Sequence, residues 1–223
     1  MSSNTPARPG VPPARAPQTA LTATRALVFV LSLLPFLHLL RGALTDGLGA
    51  NPLEYLTQQT GTWTFNFLLL TLTITPLRQL TGMHWLIRLR RMLGLFCFFY
   101  AMLHFSAWLW FEHFFALEAM ARDILKRPFI TVGFIAFTLL LPLAATSSQY
   151  AQRRLGGRRW QALHRSIYLI GILACVHYFW LVKITAIVYP LTYAILLAVL
   201  LGWRARDRIA RYHGPPHQRM MGK

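Results

Sequence analysis

A chain of 223 residues that is 55% hydrophobic and only 13% charged, with a positive mean hydropathy, does not have the composition of a water-soluble domain, whose charged share is about a quarter. A formal charge of +17 would suit nucleic acid in a soluble protein, but here the basic residues punctuate apolar runs instead of forming one patch interleaved with aromatics. The two cysteines, Cys97 and Cys175, sit inside apolar runs in no CxxC or CxxCH pattern, so neither a structural zinc nor covalently attached c-type haem is indicated, and they read as small buried hydrophobes.

In chain order, residues 1–24 are rich in Pro, Ala and Arg and are expected to form a disordered cytoplasmic tail. The first apolar run, 25–43, is followed by no A-x-A cleavage signal and reads as a retained helix, not a signal peptide. The second, 62–80, ends in TITPLR, where Pro76 can kink or close a helix and Arg78 can reach headgroups. The third, 92–112, follows the basic stretch RLRR. The fourth, 128–146, opens KRPF, with Pro128 suited to a first helical turn. The fifth and sixth, 160–182 and 184–203, nearly abut, as in a tight helical hairpin, and a basic cytoplasmic tail, 204–223, follows without a GxGxxG or other nucleotide-binding loop. Each run is long enough to cross about 30 Å of hydrocarbon. The expected architecture is therefore all-α: a polytopic bundle of six transmembrane helices over 25–203.

The arginines of the amino-terminal tail, of the 2–3 loop (Arg78, Arg88, Arg90, Arg91), of the 4–5 loop (Arg153, Arg154, Arg158, Arg159) and of the carboxy-terminal tail all fall on one side of such a bundle. The other side has Arg41, Arg122, Lys126, Arg127 and Lys183, and carries Asp46, Glu54, Glu112, Glu118 and Asp123. Positive charge collects in the cytoplasm, so both termini are expected there.

Within the third run, YAMLHFSAWLW places His104 among apolar and aromatic residues. A lone imidazole in such a setting is either a core residue bonded to a carbonyl or hydroxyl, or a ligand. The fifth run, WQALHRSIYLIGILACVHYFW, adds His164 and His177. His104 lies about 20 Å along its helix from Arg91 and His177 about 27 Å from Arg159, against about 8 Å for His164, so His104 is nearer in depth to His177. Polar groups at such depth are costly unless paired, and two imidazoles on facing helices suit the axial positions of a haem iron. His164 and His177 are separated by about 220° of rotation beyond whole turns, so they share a face only if the helix is twisted or kinked, and the third run offers no second histidine to match His164. One haem is thus provided for, and a second lacks a full ligand set. His38, His84, His113, His213 and His217 read as interfacial, pore-facing or solvated.

The stretches TGTWTFNFLLLTLTITPLR, RLRRMLGLFCFFYAMLHF, RPFITVGFIAFTLLLPLAATS and WQALHRSIYLIGILACVHYFW together resemble, in order and spacing, the MsrQ (YedZ) family of haem-binding membrane subunits, from about residue 20 to 210. The resemblance implies an electron conduit of the ferric-reductase-like transmembrane group, with haem b and FMN as cofactors. It also implies electrons drawn from the quinone pool and delivered to a periplasmic molybdopterin-containing methionine sulfoxide reductase, MsrP. The family's histidines fall on His104, His164 and His177, which become its expected cofactor-binding and iron-ligating residues; no residue of this chain is expected to be catalytic. Arg78, Arg88, Arg90, Arg91, Arg158 and Arg159 have the forked geometry to hold an FMN phosphate, although topology alone accounts for them. The alternatives are a self-contained ferric or quinone reductase and a small proton-coupled transporter. The latter would need intramembrane acids or an inverted repeat, and the spans show neither clearly.

Overall fold

The structure, a computed structural model, describes residues 18–112 and 114–213, and among these the chain is helical with no strand. Its helices are α1 (Gln18–Leu44), α2 (Pro52–Thr81), α3 (Ile87–Ala107), α4 (Leu117–Lys126), α5 (Pro128–Ala145), α6 (Gln149–Leu155), α7 (Gly157–His164), α8 (Ser166–Leu181) and α9 (Val188–His213). Most of the expected amino-terminal tail and the last part of the carboxy-terminal one lie outside the described residues. Within them, α1 begins at Gln18, earlier than the expected span, and α9 carries the first half of the basic stretch as helix.

Local chemistry sets several of these ends. Asn51 caps α2, its side chain accepting from the Glu54 amide and donating to the Glu54 carboxylate at 2.8 Å, with Pro52 in the first turn. The same helix closes on Gly82 at φ 69°, the left-handed position glycine takes without strain, where its N–H donates to the Arg78 carbonyl. Pro128 opens α5 as its sequence suggests.

Among the described residues, five helical stretches are long and apolar enough to cross a membrane: Leu21–Leu44, His84–Trp110, Pro128–Ala145, Gly157–Leu181 and Val188–Ala210. The expected second span, 62–80, lies within α2, which has the length but is too polar in composition to qualify. That polarity has a location. Thr60, Thr64, Thr71 and Thr73 each return their hydroxyl to a backbone carbonyl one turn back, and the Asn66 carbonyl oxygen accepts the Tyr193 hydroxyl of α9 at 2.7 Å. Meanwhile Phe65, Phe67, Leu68, Leu69 and Leu72 are buried, so α2 is the helix around which the core forms. It packs chiefly on α3, while α5 packs chiefly on α8, and α9 closes the bundle against α8 and α2. The outside carries exposed Leu27, Phe29, Val30, Leu34, Leu196 and Val199, as a lipid-facing surface does.

α1 is held at a proline kink. Pro35 interrupts its hydrogen-bond ladder, and the fully buried Tyr100 of α3 enters the gap: its hydroxyl donates to the Ser32 carbonyl at 2.8 Å and accepts from the Phe36 amide at 3.0 Å. These two backbone groups would otherwise bond to each other.

Two departures from the sequence reading affect the site. The segment between the third and fourth runs, expected as a loop, contains α4, an amphipathic helix with no buried residue and with Glu118–Arg122 and Asp123–Arg127 ion pairs one turn apart. The fifth span is made of two helices, α7 and α8, which meet at the helical Arg165 (φ −71°, ψ −20°), with His164 at the end of α7 and His177 in α8.

Candidate functional site

The packing of α2 on α3 and of α5 on α8 brings His104 and His177 together, each half-buried, with ring centroids 6.2 Å apart and ring planes at 81°. Each ring is pinned from behind. Nδ1 of His104 is 2.9 Å from the Thr57 carbonyl of α2, and Nδ1 of His177 is 2.7 Å from the Phe129 carbonyl of α5. A carbonyl oxygen only accepts, so Nδ1 carries the proton in both rings and Nε2 keeps its lone pair. Thr57 and Phe129 lie near the starts of α2 and α5, and the histidines near the ends of α3 and α8, so all four belong to one end of the bundle.

The donor set fits a haem. His104 and His177, facing each other with ring centroids 6.2 Å apart and each with an unprotonated Nε2, would be the residues to hold its iron. Among the described residues no group of three or more His, Cys, Asp or Glu side chains converges as a directly chelated ion requires, whereas two neutral imidazoles suffice when a macrocycle supplies the remaining ligands. Phe105, one residue beyond His104, stacks on Phe137 of α5 at 4.5 Å and 15°, which helps to keep this end of the helix pairs apolar.

His164 is placed elsewhere, at the other end of α5. Its Nε2 is 3.1 Å from the Thr146 hydroxyl, and its ring stacks on Trp160 at 4.0 Å; the Trp160 indole N–H in turn donates to the Thr146 carbonyl at 2.9 Å. Next to Thr146, Leu95 and Phe98 of α3 and Leu141, Pro142, Ala144 and Ala145 of α5 line an apolar groove of about 540 Å³. α7 and α8 meet at Arg165, whose backbone stays in the helical region (φ −71°, ψ −20°), and together they form one apolar stretch, Gly157–Leu181, with His164 and His177 in its two parts.

Of the remaining histidines, His38 and His84 are exposed, His113 and His217 lie outside the described residues, and His213 ends α9. Arg204, expected in the tail, is instead packed into the bundle: it donates to the Leu72 carbonyl of α2 and to the Leu200 carbonyl, with its guanidinium 5.7 Å from the Tyr168 ring centre. Arg88, Arg91, Arg158 and Arg159 are exposed, and Arg78 and Arg90 are half-buried. The sequence does not reveal Tyr100 or the two accepting carbonyls, those of Thr57 and Phe129. A tyrosine in an apolar run reads as core, and a backbone acceptor leaves no trace in a sequence.

Residues 60–175 match the family described as the ferric reductase like transmembrane component. The chain is 57% identical over 195 residues to a protein of Azospira oryzae, covering 87% of this chain and 83% of that one. It is 53% identical over 199 residues to one of Ralstonia nicotianae, covering 86% and 89%, and 52% identical over 193 residues to one of Herminiimonas arsenicoxydans, covering 84% and 88%. All three relatives bear the name protein-methionine-sulfoxide reductase heme-binding subunit MsrQ. Five apolar helices and a transmembrane family match make this a multi-pass membrane protein, of the helical kind found in bacterial inner membranes. Identity at this level, over most of each chain, places the protein in the MsrQ family, within the ferric-reductase-like transmembrane group.

Proposed function

We propose that the protein is the haem-carrying membrane subunit of a methionine sulfoxide reductase system and conducts electrons across the bundle. They pass from the quinone pool, through FMN and haem b, to the periplasmic molybdopterin-containing reductase MsrP. The observation that carries this reading is the His104–His177 pair, two facing imidazoles with their Nδ1 protons fixed on backbone carbonyls. The names of the relatives support it.

When bound, haem b supplies an iron centre that takes up and releases single electrons. The chain supplies the setting. His104 and His177 present Nε2 lone pairs from α3 and α8, the Thr57 and Phe129 carbonyls hold the tautomer and ring direction, and the Phe105–Phe137 stack helps exclude water. His164, held by Thr146 and Trp160 beside the apolar groove, is the ligand available to a second haem site, one less fully provided. The half-buried Arg78 and Arg90 and their exposed neighbours are the groups suited to the FMN phosphate.

In this reading α2 is a sixth span, both termini are cytoplasmic and residues 25–203 form one membrane domain. The His104–His177 pair then lies toward the periplasm and His164 toward the cytoplasm, in line with the arginines of the 2–3 and 4–5 connections. Replacing His104 or His177 by alanine is expected to remove most haem absorbance from the purified protein while membrane insertion persists, because no neighbouring Phe or Leu could supply the lost imidazole nitrogen. Full haem retention in both variants contradicts the assignment.

A further inference from the structure

The two helices that hold the histidines from behind use the same device. In each, a glycine sits four residues after the accepting carbonyl: Gly61 after Thr57 in α2, and Gly133 after Phe129 in α5. A Cβ at Gly61 would lie 3.1 Å from both Cε1 and Nδ1 of His104. A Cβ at Gly133 would lie 2.8 Å from the same two atoms of His177, closer than real Cβ contacts come. Neither glycine has a positive φ, so neither is there for backbone conformation. Inside a helix, glycine is otherwise a liability relative to alanine.

The four-residue offset has a physical reason. In an α-helix the carbonyl of residue i lies beside the side-chain position of residue i+4, which is why serine and threonine at i+4 bond back to it. Thr60, Thr64, Thr71 and Thr73 of α2 all do so in this protein. A glycine at i+4 leaves that approach open to a donor from another helix. We propose that Gly61 and Gly133 are positioning residues: by lacking a Cβ they let the imidazoles of His104 and His177 lie flat against α2 and α5, donate to Thr57 and Phe129, and aim Nε2 into the space between the helix pairs. The proposal rests on the reading of these histidines as haem ligands. It adds what fixes their ring planes at 81° and their tautomer, the outer contacts that tune a metal-bound imidazole.

The contacts also rank the sites. Gly133 tolerates no Cβ unless the ring moves, whereas Gly61 is tight enough that a small shift of His104 suffices. Gly202 of α9 has nothing within 4 Å of its Cβ position and serves as the control.

The test uses the full chain, purified with haem, as Gly61→Ala, Gly133→Ala, Gly133→Ser, Gly202→Ala, His104→Ala and His177→Ala variants. Haem content, the low-spin ferric EPR signal and the midpoint potential from an equilibrium redox titration are compared. Perpendicular axial imidazole planes leave two iron d orbitals nearly degenerate and give a large gmax, so ring reorientation is read directly. Gly202→Ala should match the parent protein. Gly133→Ala should lower haem affinity about 10- to 100-fold, the usual cost of losing an outer contact to a metal ligand. Gly133→Ser adds a hydroxyl that competes for the Phe129 carbonyl and should do the same. Gly61→Ala should keep its haem but shift gmax and the potential, and it carries the test if the Gly133 variants fail to accumulate. If the glycine variants keep parental EPR, potential and haem while His104→Ala and His177→Ala lose haem, the positioning role is wrong and the ligand reading stands. If both histidine variants keep full haem, both are wrong.

Discussion

Tyr100 illustrates how much of this bundle depends on single polar contacts away from water. Its hydroxyl replaces, with two hydrogen bonds, the one that Ser32 and Phe36 would have made to each other across the Pro35 kink, and it does so from a fully buried position one helical turn before His104. Tyr100→Phe leaves a carbonyl and an amide without this partner in the apolar interior, and is expected to lower stability by about 1–2 kcal/mol. A thermal unfolding series in detergent checks this, and an unchanged or higher Tm contradicts it. His164 belongs to the same scale. His164→Ala should reduce haem only in part or shift its spectrum, and complete haem loss there with His177→Ala intact would move the principal site to the other end of α5. The three histidines stand out in the sequence because an ionisable residue in an apolar run is costly, and the structure pairs two of them, His104 and His177. Tyr100, Gly61 and Gly133 do not stand out, because an aromatic or a glycine in such a run is ordinary, and only the partner helix reveals its purpose.

Among the helices, the spans were readable where composition and position agree. The apolar runs near 25–43, 92–112, 128–146, 160–182 and 184–203 each coincide with a helical stretch able to cross a membrane. α2 is less apolar than the five crossing stretches: packed chiefly on α3 and also on α9, it carries threonines and Asn66 whose hydroxyls and carbonyl oxygen are hydrogen-bonded inside the bundle. α4 was hidden, since ten residues with charges on one face read as a loop until the chain direction on either side is known. Single cysteines at Leu53 and Leu80, both exposed at opposite ends of α2, test its crossing, and the native Cys97 and Cys175 are buried and should contribute little labelling. We expect a membrane-impermeant maleimide to reach position 53 from the periplasmic side and position 80 only from the cytoplasmic side. Labelling of both from one side contradicts a sixth span.

The whole molecule is electrically lopsided. Arginines crowd the end that holds the 2–3 and 4–5 connections, and the opposite end carries most of the acids beside the amphipathic α4. If that end faces the periplasm, as proposed, its near-neutral mixture of charges suits brief docking of a soluble reductase better than tight assembly. The paired histidines lie at that end, where the proposed electron exit would meet a docking reductase. The most direct measurement mixes anaerobic, prereduced protein with the periplasmic molybdopterin reductase and a methionine sulfoxide substrate, and follows the haem absorbance in time. We expect reoxidation only when both are present. Equal reoxidation without the reductase would contradict the conduit and leave a self-contained reductase in its place.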